Sequence, residues 1–439
     1  MNLNKFFAQA KAEGIEVSEV SLSKTASKSF SLFHKELDNY SISNQSTLKA
    51  RGIYKDKLGT VRTEDLTDAS IPYLISTIKS TASVIEKVEE PIIFKGSKKY
   101  HKKNMFNKEL SEISVDKKLE VLHELEDLAY AYDKRITEVE VSYSENESES
   151  LLANTYGLKL KSHNNYFYYY LSVVAKDGDE VKSDGDIFLD SDFNKFEPKA
   201  FVKKICDKVL SKFHGKSIKS KAYKAVLSAE VVSQFVNALV STSCSAENVQ
   251  KKSSLFVDKL GTEILSKKVT IEERPLEKNC FFTYFDNEGV ATYNKKIFDK
   301  GVLKTYLYNL ETAKKDGVES TGNGYGGGSK IGVDVVNLYL KPGKLSEEDL
   351  FKKIKKGVYI TSITGLHAGL DPQSGDFSLQ AEGYIVEDGK VTSPLSLITV
   401  GGNLVSLLKD VIAVGNNPEL QLIGTTAPSI AIRNLKVSS

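Results

Sequence analysis

One polar segment rich in glycine concentrates the residue types that could do chemistry. The run from Gly365 to Gly383 holds four glycines, one histidine, two aspartates and one glutamate in nineteen residues. Glycine recurs at such density where the backbone turns with positive φ or approaches another group closely. His367 with Asp371 or Asp376 could supply a general base and its orienting carboxylate, although no strained GxSxG serine motif accompanies them. Two tight turns between strands explain the same spacing, and both interpretations stay open.

The residues after this run predict where it lies. Tyr384 to Val391 has the pattern of a hairpin with an Asp-Gly turn at Asp388 and Gly389. The polar run is therefore expected at the mouth of a sheet.

Other chemical motifs receive little support from their context. The one His-Glu pair, His123-Glu124, has no second histidine at useful spacing, so a surface helix is the preferred interpretation over a zinc-peptidase helix. The segment from Gly324 to Lys330 lacks the Lys-Ser/Thr order and following helix of a phosphate-binding loop, which favours a flexible glycine-rich loop. The cysteines are three, widely spaced and without metal-ligand spacing, and Cys244 at a predicted helix end is expected to be structural.

The bulk properties exclude several partner classes. The 439 residues include 60 basic and 58 acidic side chains, a net charge of +2, which gives no electrostatic reason to expect nucleic acid or an anionic membrane. Lysine outnumbers arginine, although arginine is favoured for bidentate phosphate and base recognition. No transmembrane helix or secretion signal is expected, and the cysteine usage fits a cytoplasmic protein.

Periodicity predicts an α+β fold of two parts. The first is an N-terminal domain of mixed α/β layers over residues 1–218, and the second is a mainly β C-terminal domain over 219–439. In the first, helices are predicted near residues 1–11, 68–88, 117–132 and 199–213, and strands at 17–23, 51–54, 57–62, 136–143 and 166–175, with 29–33 leading toward another. In the second, helices are predicted at 229–243, 346–356 and 401–409, and short strands account for most of the rest.

One aromatic cluster has two interpretations. Tyr166, Tyr168, Tyr169 and Tyr170 could form a platform on which bases stack. A sheet packed on both faces is the commoner explanation and is preferred here.

Four sequence blocks, in order, resemble the TldD/PmbA family, once called modulators of DNA gyrase, and more closely its PmbA (TldE) branch. They are residues 148–158 with 173–179, 245–254 with 259–261, 365–383, and 398–416 with 427–430. The resemblance covers roughly residues 130 to 435, and the N-terminal part before it matches in general pattern only.

The resemblance implies a division of labour between two chains. In the TldD branch, the helix before the second block carries HExxxH and a cysteine near the C-terminus completes the zinc site. Residues 234–243 and 417–426 of this chain hold no histidine or cysteine. The resemblance therefore implies no metal or cofactor here, zinc in a TldD-like partner subunit, and a cytoplasmic complex that processes or degrades unstructured peptides. A homodimer is an open alternative when that partner is absent.

On this basis the chain is expected to be a non-catalytic subunit that binds extended peptide. No catalytic or metal-binding residue is assigned, and the peptide cleft or subunit interface is expected at His367, Gly369, Asp371, Ser374, Gly375, Asp376 and Ser378. Two alternatives remain: an autonomous hydrolase using His367 and nearby carboxylates, and a non-enzymatic binding protein of the gyrase-modulator type.

Overall fold

A computed structural model describes residues 1–85, 90–326 and 330–439. Its N-terminal half is built on long strands with helices on one side. The elements are α1 (Leu3–Ala12), β1 (Val17–Phe33), β2 (Glu36–Tyr54), β3 (Lys57–Thr63), α2 (Ile71–Val84), α3 (Lys108–Glu112), α4 (Val115–Tyr132), β4 (Ile136–Asn154), β5 (Lys159–Asp177), β6 (Glu180–Asp190) and α5 (Pro198–Leu210).

The N-terminal strands form one antiparallel sheet in the order β3-β2-β1-β4-β5-β6. Its two faces differ because side chains alternate along each strand. On one face, Phe30, Tyr143 and Tyr169 are buried in a core with α4 and α5, and Val20 and Leu48 are buried in a second core with α1 and α2. The opposite face is rich in serine, threonine and asparagine along β1, β2 and β4.

The C-terminal half consists mainly of short strands around a buried helix. The elements are β7 (Lys221–Leu227), α6 (Ala229–Ser243), α7 (Ala246–Gln250), β8 (Ile271–Glu273), β9 (Lys295–Asp299), β10 (Val302–Leu303), α8 (Leu310–Asp316), β11 (Gly324–Tyr325), β12 (Gly332–Val333), β13 (Leu338–Leu340), α9 (Glu347–Ile354), β14 (Gly357–Thr364), α10 (Leu366–Gly369), β15 (Asp376–Glu387), β16 (Lys390–Pro394), β17 (Ile398–Asn403), α11 (Leu404–Lys409), β18 (Val411–Val414), β19 (Glu419–Leu420), β20 (Thr425–Ala427) and β21 (Ile430–Ser438).

Helix α6 is central to the C-terminal half. Ser228 caps it by accepting from the Val231 N–H, and its apolar side chains, including Phe235, are buried in the main core. One sheet runs in the order β14-β7-β21-β17-β15-β16, and a second runs in the order β10-β9-β8-β13-β20-β19. The α+β class, with a layered N-terminal half and a β-rich C-terminal half, is confirmed. Residues 211–220 link α5 to β7, and the domain boundary at residue 218 stays a prediction.

Several local predictions need correction or fall outside the described residues. Residues 29–33 continue β1 instead of starting another strand, and α8 was not predicted. In β5 only Tyr169 of the tyrosine cluster is fully buried, so the sheet there is packed tightly on one face instead of both. The helix predicted to residue 88 extends onto residues 86–88, and the loop predicted over 324–330 extends onto residues 327–329; both stretches lie outside the described residues. No helix in the described ranges is long and apolar enough to cross a membrane.

Candidate functional site

The polar run forms a corner between two strands. Strand β14 ends at Thr364, Gly365 turns the chain with φ of 86°, and α10 gives one helical turn before β15 begins at Asp376. A β-carbon at Gly369 would lie 2.4 Å from the Ser378 carbonyl oxygen, so this position needs glycine. The predicted hairpin that follows is confirmed, since β15 pairs with β16 around Asp388 and Gly389.

Asp371 organises the tight turn in this corner. Its carboxylate accepts from the backbone N–H groups of Gln373 at 2.8 Å and Ser374 at 3.3 Å. These two bonds lower the pKa of Asp371 because they favour the ionised form. The Gly375 N–H donates to the Asp371 carbonyl oxygen at 2.8 Å, and Gly375 itself has φ of 76°.

Asn403 ties this turn to the next helix. Its amide donates to the Ser374 carbonyl oxygen at 2.8 Å and to Asp376 Oδ1 at 2.9 Å. Its side-chain oxygen accepts from the N–H groups of Val405 and Ser406 and so caps α11. The structure therefore brings Gly369, Asp371, Ser374, Gly375, Asp376 and Ser378 together as a bonded corner, as expected of a turn.

His367 does not join those carboxylates. It lies exposed on α10, and the described part of the chain records no hydrogen bond or ion pair for its side chain. Asp371 is bonded to backbone N–H groups and Asp376 to Asn403. The corner therefore does not contain the pair considered in the sequence analysis, a histidine base oriented by Asp371 or Asp376.

The helix expected to carry the family's zinc motif is α6. Its buried side packs in the core, and its other side presents Gln234, Asn237, Ser241 and Thr242. Asn237 Nδ2 donates to Thr425 Oγ1 at 3.2 Å, so the helix is joined to β20 by an amide and a hydroxyl. Zinc is bound in proteins by thiolate, imidazole and carboxylate groups. These side chains do not fit a zinc ion.

The remaining candidate ligands and nucleophiles are dispersed or inert. Within the described ranges, no group of three or more histidine, cysteine, aspartate or glutamate side chains could hold a metal ion. His123 is exposed on α4, as predicted for a surface helix. Burial raises the pKa of Cys206 and of Cys280 to about 12, and it also raises that of Cys244. All three thiols are buried and held in the unreactive protonated form.

Sequence analysis missed a pair of buried acids between the two halves. Asp286 accepts from the N–H groups of Glu288, Val290 and Gly324, and Glu288 accepts from the Leu310 N–H at 2.7 Å. Burial raises the pKa of Asp286 to about 7; burial and the neighbouring Asp286 raise that of Glu288 to about 8. Gly324 lies 38 positions from Asp286 along the chain, so no local signal could reveal the burial of this carboxylate.

Sequence profiles match most of this chain. The profile of the PmbA/TldA metallopeptidase C-terminal domain matches residues 220–439, and that of the corresponding central domain matches residues 108–213. The second match ends in the link after α5, and the first begins just before β7.

Individual relatives agree over nearly the full length. A Metalloprotease PmbA homolog from Haemophilus influenzae is 26% identical over 431 residues, covering 96% of this chain and 92% of that protein. The crystal structure of a proposed modulator of a DNA gyrase from Thermotoga maritima is 31% identical with a TM-score of 0.93, covering 99% of both chains. TldE from Thermococcus kodakarensis, 22% identical, shares the fold with a TM-score of 0.92 and covers 100% of both chains.

Proposed function

The chain belongs to the PmbA/TldD metallopeptidase family, and we propose that it is the non-catalytic, substrate-binding subunit of a cytoplasmic TldD/TldE-type zinc metallopeptidase complex. The observation that carries the proposal is the composition of α6 and its neighbour β20. Where the family resemblance places a metal-binding helix, this chain has Asn237 bonded to Thr425. Activation of water by zinc needs ligands that these side chains do not supply, so a TldD-like partner would supply the metal and the activated water.

A neutral hydroxyl-rich surface supports binding of unstructured peptide. On the sheet face opposite the helices, Ser27 and Ser43 lie 2.8 Å apart and Ser150 and Ser162 lie 2.6 Å apart, oxygen to oxygen. Hydroxyl groups both donate and accept hydrogen bonds, so they suit the backbone of any peptide sequence. Such a face would bind extended chain with little side-chain preference.

The polar run would contribute through its exposed rim. Strand β15 is bonded to β17 over residues 376–381 and to β14 over residues 380–386, so a peptide cannot add there as a further strand. The exposed side chains of His367, Asp371, Ser374, Asp376 and Ser378 are available to a partner or peptide instead. The bonds from the Asn403 amide to the Ser374 carbonyl oxygen and to Asp376 Oδ1 would hold this part of the rim in one shape.

Co-expression with a TldD-like chain from the same organism tests the proposal. We expect a stable complex that contains zinc and cleaves an unfolded peptide, while this chain alone contains no stoichiometric zinc and cleaves nothing. The complex and each of its two purified subunits should be compared for zinc content and for cleavage of one unfolded peptide. Stoichiometric zinc together with cleavage by the isolated chain would reject the proposal.

The autonomous-hydrolase alternative makes the opposite prediction for His367. If this chain cleaved peptide by itself, the substitution His367→Ala should abolish that activity, because imidazole would be the base. Under the proposal, His367→Ala leaves the kcat of the complex within about twofold, since no catalytic group is removed, and any loss is confined to KM, since the side chain lies on the proposed binding rim. The matched control for His367→Ala is Ser374→Ala, because Ser374 lies on the same exposed rim and has no proposed catalytic role.

A further inference from the structure

The near-neutral charge of the whole chain conceals a local excess of lysine. A cavity of about 510 Å³ lies beside the start of β5, and its lining includes Lys102, Lys103, Lys159 and Lys161. All four of these residues are exposed. The volume of this lysine cavity is within the range of ligand-binding clefts. Its charge makes an anion the natural ligand.

The acidic side chains near the lysine cavity already have partners, whereas its lysines do not. Within the described ranges, the four lysines make no ion pair with a carboxylate. Glu149, the acidic residue that the described lining contains, pairs with Lys24 at 3.5 Å. Nearby, Glu147 Oε1 lies 2.7 Å from His163 Nε2. The positive charge of the cavity is therefore not neutralised by the chain itself.

Mutual repulsion among the lysines favours an added anion. Loss of solvation and the neighbouring Lys278 lower the pKa of Lys103, because both disfavour its charged form. An anion bound between such ammonium groups would relieve this repulsion. The lysine cavity is thus more favourable for an anion than four separate surface lysines would be.

The lysine cavity exists because β5 extends beyond its neighbour in the sheet. Strand β5 begins at Lys159, but β6 pairs with it only from Phe167 onward. The segment before α3 covers part of the edge that β6 leaves free, since the Met105 N–H donates to the His163 carbonyl oxygen at 3.2 Å. Lysines of this segment and lysines of β5 therefore line the same space.

The lysine cavity is continuous with the hydroxyl-rich face of the N-terminal sheet. Ser162 lines the cavity, and its Oγ lies 2.6 Å from that of Ser150 on that face. Tyr284 of the C-terminal half also lines the cavity and accepts from the Lys161 N–H at 3.2 Å. An extended peptide on the hydroxyl-rich face could therefore place side chains in the cavity.

We propose that the lysine cavity binds acidic side chains of the peptide substrate, so that the complex prefers unstructured peptides with clustered aspartate or glutamate. This inference rests on the proposed function and adds a side-chain preference to a face that otherwise binds backbone. The described lining contains no arginine, the residue favoured for bidentate recognition of phosphate. Continuity with the peptide-binding face therefore favours peptide carboxylates over a phosphate group.

Binding of two matched peptides to the full isolated chain tests the proposal. Both probes are dye-labelled, unstructured Gly/Ser peptides, one with a central block of glutamates and the other with glutamines in their place. In fluorescence anisotropy, we expect the glutamate peptide to bind about tenfold more tightly at low ionic strength, as several exposed charge pairs would produce. The difference should shrink as salt is added, because salt screens such pairs.

Paired substitutions locate the effect. Lys103→Gln combined with Lys161→Gln should raise the Kd of the glutamate peptide at least about fivefold and leave that of the glutamine peptide unchanged. Arginine at both positions keeps the charge and should preserve the preference. Lys11→Gln combined with Lys199→Gln is the control, since it changes the net charge equally at exposed lysines outside the cavity. In the cleaving complex, the cavity variant should raise KM for the glutamate peptide without changing kcat.

Several outcomes would overturn the proposal. These are equal binding of the two peptides, equal losses in the cavity and control variants, and displacement of the glutamate peptide by a lower concentration of inorganic phosphate or of a single-stranded oligonucleotide than of unlabelled peptide.

Binding by the isolated chain needs no catalysis, so the proposed function is tested separately. If the complex cleaves neither peptide while selective binding persists, the proposed function fails and the assignment of the lysine cavity to acidic ligands stands. If the complex cleaves both peptides with the same KM, the proposed function stands and the preference fails.

Discussion

Asn403 determines much of the geometry of the polar run at the scale of single residues. Its amide nitrogen holds the turn through Ser374 and Asp376, while its oxygen caps α11. The glycines and Asp371 that sequence analysis singled out are local turn residues, but Asn403 lies 27 positions from Asp376. The side chain that joins them was therefore outside the reach of a local pattern.

Two substitutions separate the roles of Asn403. Asn403→Ser keeps an oxygen that can cap α11 but loses both donors to the turn, whereas Asn403→Ala loses both functions. We expect Asn403→Ala to lower the free energy of unfolding by about 1 kcal/mol more than Asn403→Ser, the usual value of a helix N-cap. Urea unfolding measures this difference. Both variants should increase hydrogen exchange at Gly375 and Asp376, and unchanged exchange would contradict the assigned link.

Glu288 predicts a pH dependence of stability. Its pKa rises from 4.5 to about 8 on folding because the carboxyl is buried and lies near Asp286. Between those values the folded chain binds a proton that the unfolded chain releases, so the contribution of Glu288 to stability falls as pH rises from about 4.5 to about 8. Asp286, raised to about 7, acts in the same direction.

The substitution Glu288→Gln should remove its part of this pH dependence. Glutamine keeps an oxygen that can accept from the Leu310 N–H but does not ionise. We therefore expect the variant to lose less free energy of unfolding than the wild type between about pH 5 and about pH 8.5, the range in which the buried carboxyl titrates. Urea titrations at both pH values check this, and identical losses in the two proteins would contradict it.

At the scale of elements, periodicity predicted what depends on neighbouring residues. Helix α6 and the β15–β16 hairpin were predicted correctly because their apolar spacing and turn residues are local. The full length of β1 was not predicted. Ser, Lys and Thr dominate its second half, so apolar and polar side chains do not alternate there regularly enough to indicate a strand. Helix α8 was missed because its signal is a capping box at Asn309 and Thr312 in a short polar segment. The face of each helix or strand that contacts the other half of the protein is set by contacts between residues far apart in the sequence. Local sequence patterns do not encode these contacts.

Gly383 shows how a strand irregularity constrains one residue. The register of β14 against β15 shifts between Ile360 and Ser362, and a β-carbon at Gly383 would lie 2.0 Å from the Tyr359 carbonyl oxygen. We expect Gly383→Ala to destabilise the protein by about 1–3 kcal/mol, the usual cost of forcing extra volume into packed structure. Gly401→Ala in the adjacent β17 is the control, since its nearest neighbour would be 3.5 Å away. Thermal unfolding compares the two, and equal shifts would contradict the close approach.

At the scale of the whole molecule, charged side chains join the two halves. Lys212, in the link after α5, is 8% exposed; its Nζ lies 2.7 Å from Asp184 Oδ2 of β6 and bonds to Glu382 of β15. It also donates to the Ser183 carbonyl oxygen at 2.9 Å. One buried ammonium thus connects the N-terminal sheet to the C-terminal sheet that carries the polar run.

Removing this ammonium should weaken the junction more than removing a surface lysine. Lys212→Met leaves the half-buried Glu382 and the Ser183 carbonyl without their cation, although Asp184 keeps Lys208 at 3.0 Å. Removing one partner of a fully buried pair costs about 3–5 kcal/mol, so with one partner retained we expect about 2 kcal/mol. Lys204→Met is the matched control: its side chain is 59% exposed, it pairs with Asp186 at 2.8 Å, and its loss should cost less than about 1 kcal/mol. Equilibrium unfolding gives both values, and hydrogen exchange should increase in β6 and β15 only in Lys212→Met. Equal losses in the two variants would show that the halves are held together mainly by apolar contacts such as those of Leu152 and Leu160 with Tyr284.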